Sequence, residues 1–141
     1  MIRISRAGLQ DVKAILKLEN NVWKENVTSI WDEAMAVRYG MVLKATHGKQ
    51  IVGALIALRT WHGEDYICDL VVNPCFREHG IAHRLKKELE RRIGKGRILT
   101  AVKPTNLAML KINHDLGYRK IRTIRNFHRD GKPHILMEKR V

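Results

Sequence analysis

The sequence contains no hydrophobic run long enough to cross a membrane. The longest apolar stretch covers residues 51–58 and includes Gly53, whereas a membrane-spanning helix needs about 20 apolar residues. The first residues alternate between apolar and polar, and no long apolar stretch follows them as it would in a secretory signal. These features lead us to expect a cytoplasmic protein.

Cysteine and proline are scarce. Cys68 and Cys75 lie seven positions apart, which fits neither a CxxC pair nor a disulfide framework, and we expect both to be buried thiols. The three prolines are scattered, and no repeat, low-complexity tract or linker divides the chain. A chain of 141 residues with 45% hydrophobic and 29% charged residues is long enough to fold around its own core. We therefore predict a single domain over residues 1–141.

Acidic residues are few in the second half of the chain. Residues 1–76 contain nine lysines and arginines against eight acids, whereas residues 77–141 contain eighteen against six, so that the net charges are +1 and +12. Such a surplus favours an anionic partner, which is a nucleic acid, an acidic protein or a polyphosphate cofactor. A basic surface that is merely solvated is the alternative interpretation.

Apolar periodicity predicts seven strands and four helices in the order βααβββαβαββ. We expect the second helix to bury the face that contains Trp31, Ala34 and Met35. In the third helix we expect a buried stripe at residues 81, 85, 89 and 93, with Lys86 among the basic residues outside it. Antiparallel strands followed by alternating strands and helices indicate a mixed α/β sheet. The predicted strands are 2–4, 41–45, 51–60, 66–72, 98–102, 118–124 and 134–139, and the predicted helices are 9–23, 29–40, 81–93 and 107–116.

A phosphate-binding loop is the clearest functional signal. Arg77 to Ala82 has the spacing R-x-x-G-x-A between a predicted strand and a basic helix. The first amide groups of a helix are free and lie at the positive end of its dipole, and Gly80 lets the backbone approach an anion closely. An ordinary strand-to-helix turn is the alternative.

Four segments resemble the GNAT superfamily of acyl-CoA-dependent N-acyltransferases over the whole chain. The strand that ends at Asn73-Pro74 and the loop after it resemble the central strand and pyrophosphate loop of that family. Asn106, Gly117-Tyr118 and the last hairpin around 127–131 also match, as does Gly53 in its strand. The resemblance implies an α/β fold with a mixed, mostly antiparallel sheet, a splayed central strand pair and flanking helices.

The resemblance also implies the cosubstrate acetyl-CoA and the residues that bind it. Three strand residues would pair with the pantetheine arm, the loop would hold the pyrophosphate, and Asn106 would touch the arm. In the family a strand amide polarises the thioester carbonyl while the substrate amine attacks. The residues implied in cofactor binding are Leu70, Val71, Val72, Arg77, Glu78, His79, Gly80, Ile81, Ala82, His83 and Asn106.

The chain departs from the family at its two usual catalytic positions. Ala101 lies where many protein-acetylating members have Glu, and Asn113 lies where they have Tyr. His128 and Asp69 are the candidate bases, because imidazole titrates near neutral pH and a carboxylate accepts a proton. The activity implied is N-acetylation of a primary amine on a protein N-terminus, a lysine or a small molecule. A catalytically silent acyl-CoA-binding module and a basic protein associated with nucleic acid are the alternatives.

Other polar and aromatic residues have plainer interpretations. His79 and His83 lie four apart, but no third ligand is signalled, so we expect no metal. Trp23 and Trp31 flank the connection between the first two helices, which borders the acceptor site in the family; for Trp31 we favour a core position. The sequence does not distinguish a monomer from a homodimer.

Overall fold

The computed structural model describes residues 1–24 and 28–141. Their seven strands and four helices follow one another in the predicted order. No helix in this part of the chain is long and apolar enough to cross a membrane, and cellular location and oligomeric state stay predictions. The elements are β1 (Ile2–Arg6), α1 (Val12–Trp23), α2 (Ile30–Tyr39), β2 (Met41–His47), β3 (Gln50–Arg59), β4 (Asp65–Val72), α3 (Ile81–Ile93), β5 (Arg97–Val102), α4 (Leu107–Asp115), β6 (Arg119–Ile124) and β7 (His134–Arg140).

The seven strands form one mixed sheet in the order β1-β2-β3-β4-β5-β7-β6. All neighbours are antiparallel except β4 and β5, which run parallel. Only the first three residues of β4 pair with β5, and the last of these pairs joins Ile67 to Thr100. Beyond that pair the two strands separate. The predicted fold class, including the splayed central pair, is therefore confirmed.

The sheet has a separate apolar core on each face. One core packs α3 and α4 residues such as Leu85 and Ile112 against the strands. The other packs Ile15 of α1 and Val37 of α2 against the opposite face. Because side chains alternate along a strand, each position on β4 is assigned to one of these faces.

Several local predictions hold because the capping chemistry is strong. Ser29 caps α2, where its hydroxyl accepts from the Asp32 amide and the Asp32 carboxylate accepts from the Ser29 amide. Asn106 caps α4 through its side-chain oxygen. Residues 125–133 connect β6 to β7, which is the connection that the predicted strand bounds leave.

The predicted buried face of α2 is wrong. The buried residues of this helix are Glu33, Ala36 and Val37, and the Trp31 side chain is 78% exposed. The first apolar residues of α2 therefore point to solvent rather than to the core. The predicted face is the one with the largest apolar side chains. The face that packs against the rest of the protein has smaller side chains and one acidic residue.

Two further burial predictions are also wrong. Both cysteines are exposed; Cys75 lies in the turn after β4, and Cys68 has no partner residue at an irregularity in the β3–β4 pairing. Conversely, Lys86 is only 1% exposed, although its charge suggested the solvent face of α3. Its ammonium group lies 4.2 Å from the centre of the Tyr118 ring, a cation–π contact that lets the side chain enter the core.

Candidate active site

The separation of β4 from β5 opens the middle of the sheet. From Asp69 onward β4 is paired with β3 on one side and has no strand partner on the other. Backbone groups that point toward β5 are therefore available to a ligand, because buried N–H and C=O groups need partners. The site lies at this opening.

A groove of about 990 Å³ lies on the face of the sheet that α3 and α4 cover. Its wall from β4 consists of Leu70 and Val72, which alternate toward this face. The loop before α3, the start of α3, the first turns of α4 and the last residues of α1 complete it. The groove is lined by Val22, Trp23, Leu70, Val72, Pro74, Phe76, Arg77, Glu78, Gly80, Ile81, Ala82, His83, Asn106, Ala108, Met109, Lys111 and Ile112.

The loop from Arg77 to Gly80 directs the free amides of α3 into this groove. Gly80 is the N-cap of α3, with a left-handed φ of 71°, and no side chain satisfies the first amides of the helix. A Cβ on Gly80 would meet no atom within 4 Å, so the space beside the helix N-terminus is open. An open helix N-terminus with a basic neighbour is suited to bind phosphate.

Not every predicted cofactor residue faces the groove. The His79 ring nitrogen Nδ1 lies 2.9 Å from the carbonyl oxygen of Arg77 and 3.1 Å from that of Phe76, so His79 braces the loop. The Val71 side chain belongs to the core under α1 and α2, which leaves only its backbone for the cofactor. Asn106 lines the groove while its oxygen caps α4.

On the opposite face of the sheet the opening is bordered by carboxyl groups. Asp69 lies on the same face of β4 as Val71, toward α1 and α2, and its Oδ1 accepts from the Leu70 amide at 2.9 Å. The carboxyl of Glu19 from α1 has those of Asp69 and of Glu33 from α2 as its neighbours, and one oxygen of each of the three is buried without a hydrogen-bond partner. Burial, followed by these two acidic neighbours, raises the pKa of Glu19 well above its usual range.

Comparison with known proteins agrees with this arrangement. A sequence profile described as "Acetyltransferase (GNAT) domain" matches residues 9–141. The chain belongs to the GNAT acetyltransferase family. It is therefore an acetyl-CoA-dependent acetyltransferase, and acetyl-CoA is the donor that the family uses.

Solved structures of GNAT enzymes have the same fold. The ribosomal-protein-S18-alanine N-acetyltransferase from Escherichia coli is 18% identical, with a TM-score of 0.80 over 100% of this chain and 94% of that one. An aminoglycoside 6'-acetyltransferase type Ii is 19% identical, with a TM-score of 0.83 over 98% and 96%. The IAA acetyltransferase from Bacillus cereus ATCC 14579 is 15% identical, with a TM-score of 0.81 over the full length of both chains. No curated protein shows significant sequence similarity to the chain.

A core residue, Asn113, lies at the position where the resemblance implies a tyrosine in other members. Asn113 has no exposed surface, and its amide nitrogen donates to the Met137 sulfur at 3.5 Å. It does not line the groove. The side chain of Asn113, at the position that the resemblance links to the departing thiolate, is therefore turned away from the groove.

His128 lies in the connection between β6 and β7, beside a second histidine. Its ring centre is 4.2 Å from that of His134 and 5.0 Å from that of Phe127. Burial, followed by the His134 neighbour, lowers the pKa of His128, which favours the neutral form that a base requires. Met137 packs in the α3 core, so alternation along β7 turns His134 toward the sheet face that Asp69 occupies.

Glu19 and Glu33 are site residues that sequence reasoning missed, although a signal was present. Glu19 follows Val12 and Ile15 at helical spacing, and Glu33 precedes Ala36 and Val37 at the same spacing. A carboxylate on the apolar stripe of a helix is rarely buried without a functional or pairing reason. The connection between the first two helices, which the resemblance places beside the acceptor, includes residues 25–27, and these lie outside the described residues.

The described residues contain no cluster of three or more His, Cys, Asp or Glu side chains that could hold a metal ion. His79 and His83 do not act as a pair, because His79 binds backbone carbonyls and only His83 lines the groove. That the reaction proceeds without a metal stays a prediction.

Proposed function

We propose that this GNAT enzyme transfers an acetyl group to a primary amine at the opening between β4 and β5. The single observation that supports this most is the two-sided opening: the groove and the open α3 N-terminus lie on one face, and the Asp69 carboxyl lies on the other. A donor held in the groove and an amine bound beside Asp69 would meet at the opening. The acceptor would be a protein N-terminus, a lysine or a small amine.

The groove residues fit the donor. Arg77 and the free amides at the start of α3 would hold the pyrophosphate, and the unpaired edge of β4 would hold the arm. When bound, acetyl-CoA supplies an activated thioester carbonyl. An amide of β4 that points toward β5 would stabilise the negative charge that develops on the carbonyl oxygen.

The reaction needs a base on the acceptor side. Asp69 would take the proton of the ammonium group, and the freed amine nitrogen would then attack the thioester carbon. A C–N bond forms, the nitrogen of the adduct gives its remaining extra proton to water, the C–S bond breaks, and the bonding electron pair leaves with the sulfur. A thiol with a pKa of about 8.5 is a fair leaving group, so water can protonate the thiolate without a tyrosine acid.

His128 is the alternative base. It is exposed, its lowered pKa keeps it neutral at pH 7, and its neighbour His134 faces the Asp69 side of the sheet. The named activities of the similar structures, on a ribosomal protein alanine and on an aminoglycoside, support an amine acceptor. They do not distinguish a protein from a small molecule.

Calorimetric titration with acetyl-CoA followed by a thiol-release assay tests the proposal. The amines to compare are peptides with a free N-terminus, N-terminally blocked peptides with lysine, polyamines and aminoglycosides. We expect micromolar binding and release of one thiol per acetylated amine. Binding without amine-dependent thiol release from any acceptor would favour the silent acyl-CoA-binding module.

A second candidate function, contact with nucleic acid, is supported by the β6 edge. This strand ends the sheet, and its first five residues are exposed. Within the described part of the chain, Lys120, Arg122 and Arg125 form no ion pair, whereas Arg119 pairs with Glu138. An exposed row of cations binds phosphate backbones electrostatically, with affinity that falls steeply with salt. An acidic protein partner is the competing interpretation of the same edge.

Fluorescence anisotropy with a labelled RNA duplex and a labelled DNA duplex tests this candidate. Replacing Lys120, Arg122 and Arg125 together by Gln should weaken binding at least tenfold and lower the salt slope by about two to three. The same change at Lys13, Lys17 and Arg38, which lie on α1 and α2, is the matched control and should leave binding intact. Equal binding by both triple variants would contradict a nucleic-acid surface on β6.

A further inference from the structure

Among the residues that the structure describes, the carboxyl groups of Glu19, Glu33 and Asp69 have no cation paired with them. Glu19 and Glu33 are 1% and 3% exposed, and Asp69 is half-buried beside them. No salt bridge within the described residues involves any of the three. Removing charges from water without a partner costs several kcal/mol for each ion, so the cluster cannot be fully ionised.

The hydrogen bonding of the cluster identifies where a proton is needed. With every carboxyl ionised, Glu19 Oε1, Glu33 Oε2 and Asp69 Oδ2 are all buried acceptors with no donor. Glu19 is the central member, because its carboxyl contacts both of the others. One proton on Glu19 turns it into a donor and relieves the repulsion on both sides.

We propose that protonated Glu19 is a positioning residue that donates a hydrogen bond to Asp69 and fixes the carboxylate that receives the acceptor's proton. This inference rests on the proposed function, in which Asp69 acts on the amine. Glu19 would not touch the acceptor, because only 1% of its surface is exposed. Its hydrogen bond, together with the Leu70 amide on the other Asp69 oxygen, holds the carboxylate in one orientation.

The other charged groups around the cluster are few. Asp69 of β4 and Glu33 of α2 face Glu19 directly. Asp32 lies near Glu33, and Cys68 lies near both Asp69 and Glu33. All of these are acids or a thiol, so none supplies a positive charge that would ionise Glu19.

Comparing Glu19→Gln with Glu19→Leu tests the proposal. Glutamine keeps a side-chain donor of nearly the same size, whereas leucine fills the space without one. We expect Glu19→Leu to lower kcat for the amine by about tenfold to a hundredfold, and Glu19→Gln to retain kcat within about threefold. The affinity for acetyl-CoA should stay the same in both, because the groove lies on the other face of the sheet.

The two variants separate this inference from the proposed function. If the wild type acetylates amines and Asp69→Asn is impaired, but Glu19→Leu is as active as Glu19→Gln, the positioning role is wrong. Equal and severe loss in both Glu19 variants would also overturn it, because it would show that the carboxyl itself is required. Absence of amine acetylation by the wild type would refute the proposed function and this role with it.

A stability measurement checks the proton on Glu19 without any activity. Above about pH 5 an unfolded Glu19 has released its proton, whereas the folded chain retains it, so wild-type stability falls with rising pH relative to Glu19→Gln. The ratio of the two unfolding constants should change tenfold per pH unit between about pH 6 and 8. A ratio that is independent of pH would show that Glu19 holds no proton and would overturn the proposal.

Discussion

Gly80 is the residue where a substitution should remove binding of the donor while the protein stays folded. It sits beside the free amides of α3, and its missing side chain leaves the groove open. We expect Gly80→Asp to lower the affinity for acetyl-CoA at least about a hundredfold, because a carboxylate would repel the phosphates. Calorimetry measures this affinity. The cost of its positive φ is about 1 kcal/mol, which Asp tolerates better than most residues.

Gly94→Asp provides the matched control for that variant. Gly94 has a positive φ of 74° and open space around it, but it lies at the other end of α3. The variant adds the same charge outside the groove, so binding should persist; because Gly94 has a ψ of −59°, outside the left-handed helical region that Gly80 occupies, the backbone strain at this control position is the larger of the two. Unchanged affinity in a folded Gly80→Asp variant would remove the basis for a phosphate site at this helix.

His128 is the residue whose role a pH profile decides. If His128 is the base, kcat/KM should rise through its lowered pKa, below the ordinary value of about 6.5, and level off above it. His128→Ala would then abolish that ionisation and reduce the rate by about 100-fold or more. A profile and rate that match the wild type would leave Asp69 as the base.

The sequence predicts only the part of the site that consists of residues close together in the chain. The spacing from Arg77 to Ala82 is local, and the structure brings those residues to one helix start. By contrast, the contact of Glu19 with Asp69 joins residues fifty positions apart, and strand alternation did not reveal which face Asp69 takes. Only the core under α1 and α2, with Val71 in it, decides that face.

At the scale of single elements, α3 contains a lysine that the fold buries at a cost. Burial lowers the pKa of Lys86 to about 7, although nearby Glu90 opposes the shift. We expect Lys86→Met to raise the free energy of unfolding at pH 7 by about 1–3 kcal/mol, as happens when buried charges are replaced by apolar side chains of similar size.

The pH dependence of that gain has a definite sign. Between about pH 7 and 10.5 the unfolded lysine holds a proton that the folded one has released, so wild-type stability rises with pH and the gain from Met shrinks. Urea unfolding of both proteins at pH 7 and pH 9.5 measures this difference. A destabilised Lys86→Met variant would mean that the contact with Tyr118 outweighs the burial cost.

Element order was predictable, whereas burial within helices was less so. Caps and turns are local signals, and Ser29, Asn106 and Pro74 begin or end elements as their chemistry requires. The exposed Trp31 and buried Glu33 of α2 contradict the face suggested by hydrophobicity. Which face of α2 is buried depends on how α2 packs against α1 and the sheet. The periodicity of one short helix carries no information about that packing.

At the scale of the whole molecule, the uneven charge predicts a salt effect. Residues 77–141 contain eighteen lysines and arginines, and two of them, Arg77 and Lys111, line the groove that would hold several phosphate charges. The dissociation constant of acetyl-CoA should therefore rise about three- to tenfold between about 50 and 500 mM salt. A flat titration would indicate that the positive charge serves another partner, such as the one proposed for the β6 edge.

The central claim is that acetyl transfer takes place through the sheet, with the donor in the groove and the amine beside Asp69. The most direct test is the rate of amine-dependent thiol release by the wild type and by Asp69→Asn, both saturated with acetyl-CoA. We predict equal acetyl-CoA affinity and a kcat for the variant that is lower by about 100- to 10,000-fold. An Asp69→Asn variant with the wild-type kcat would contradict the account.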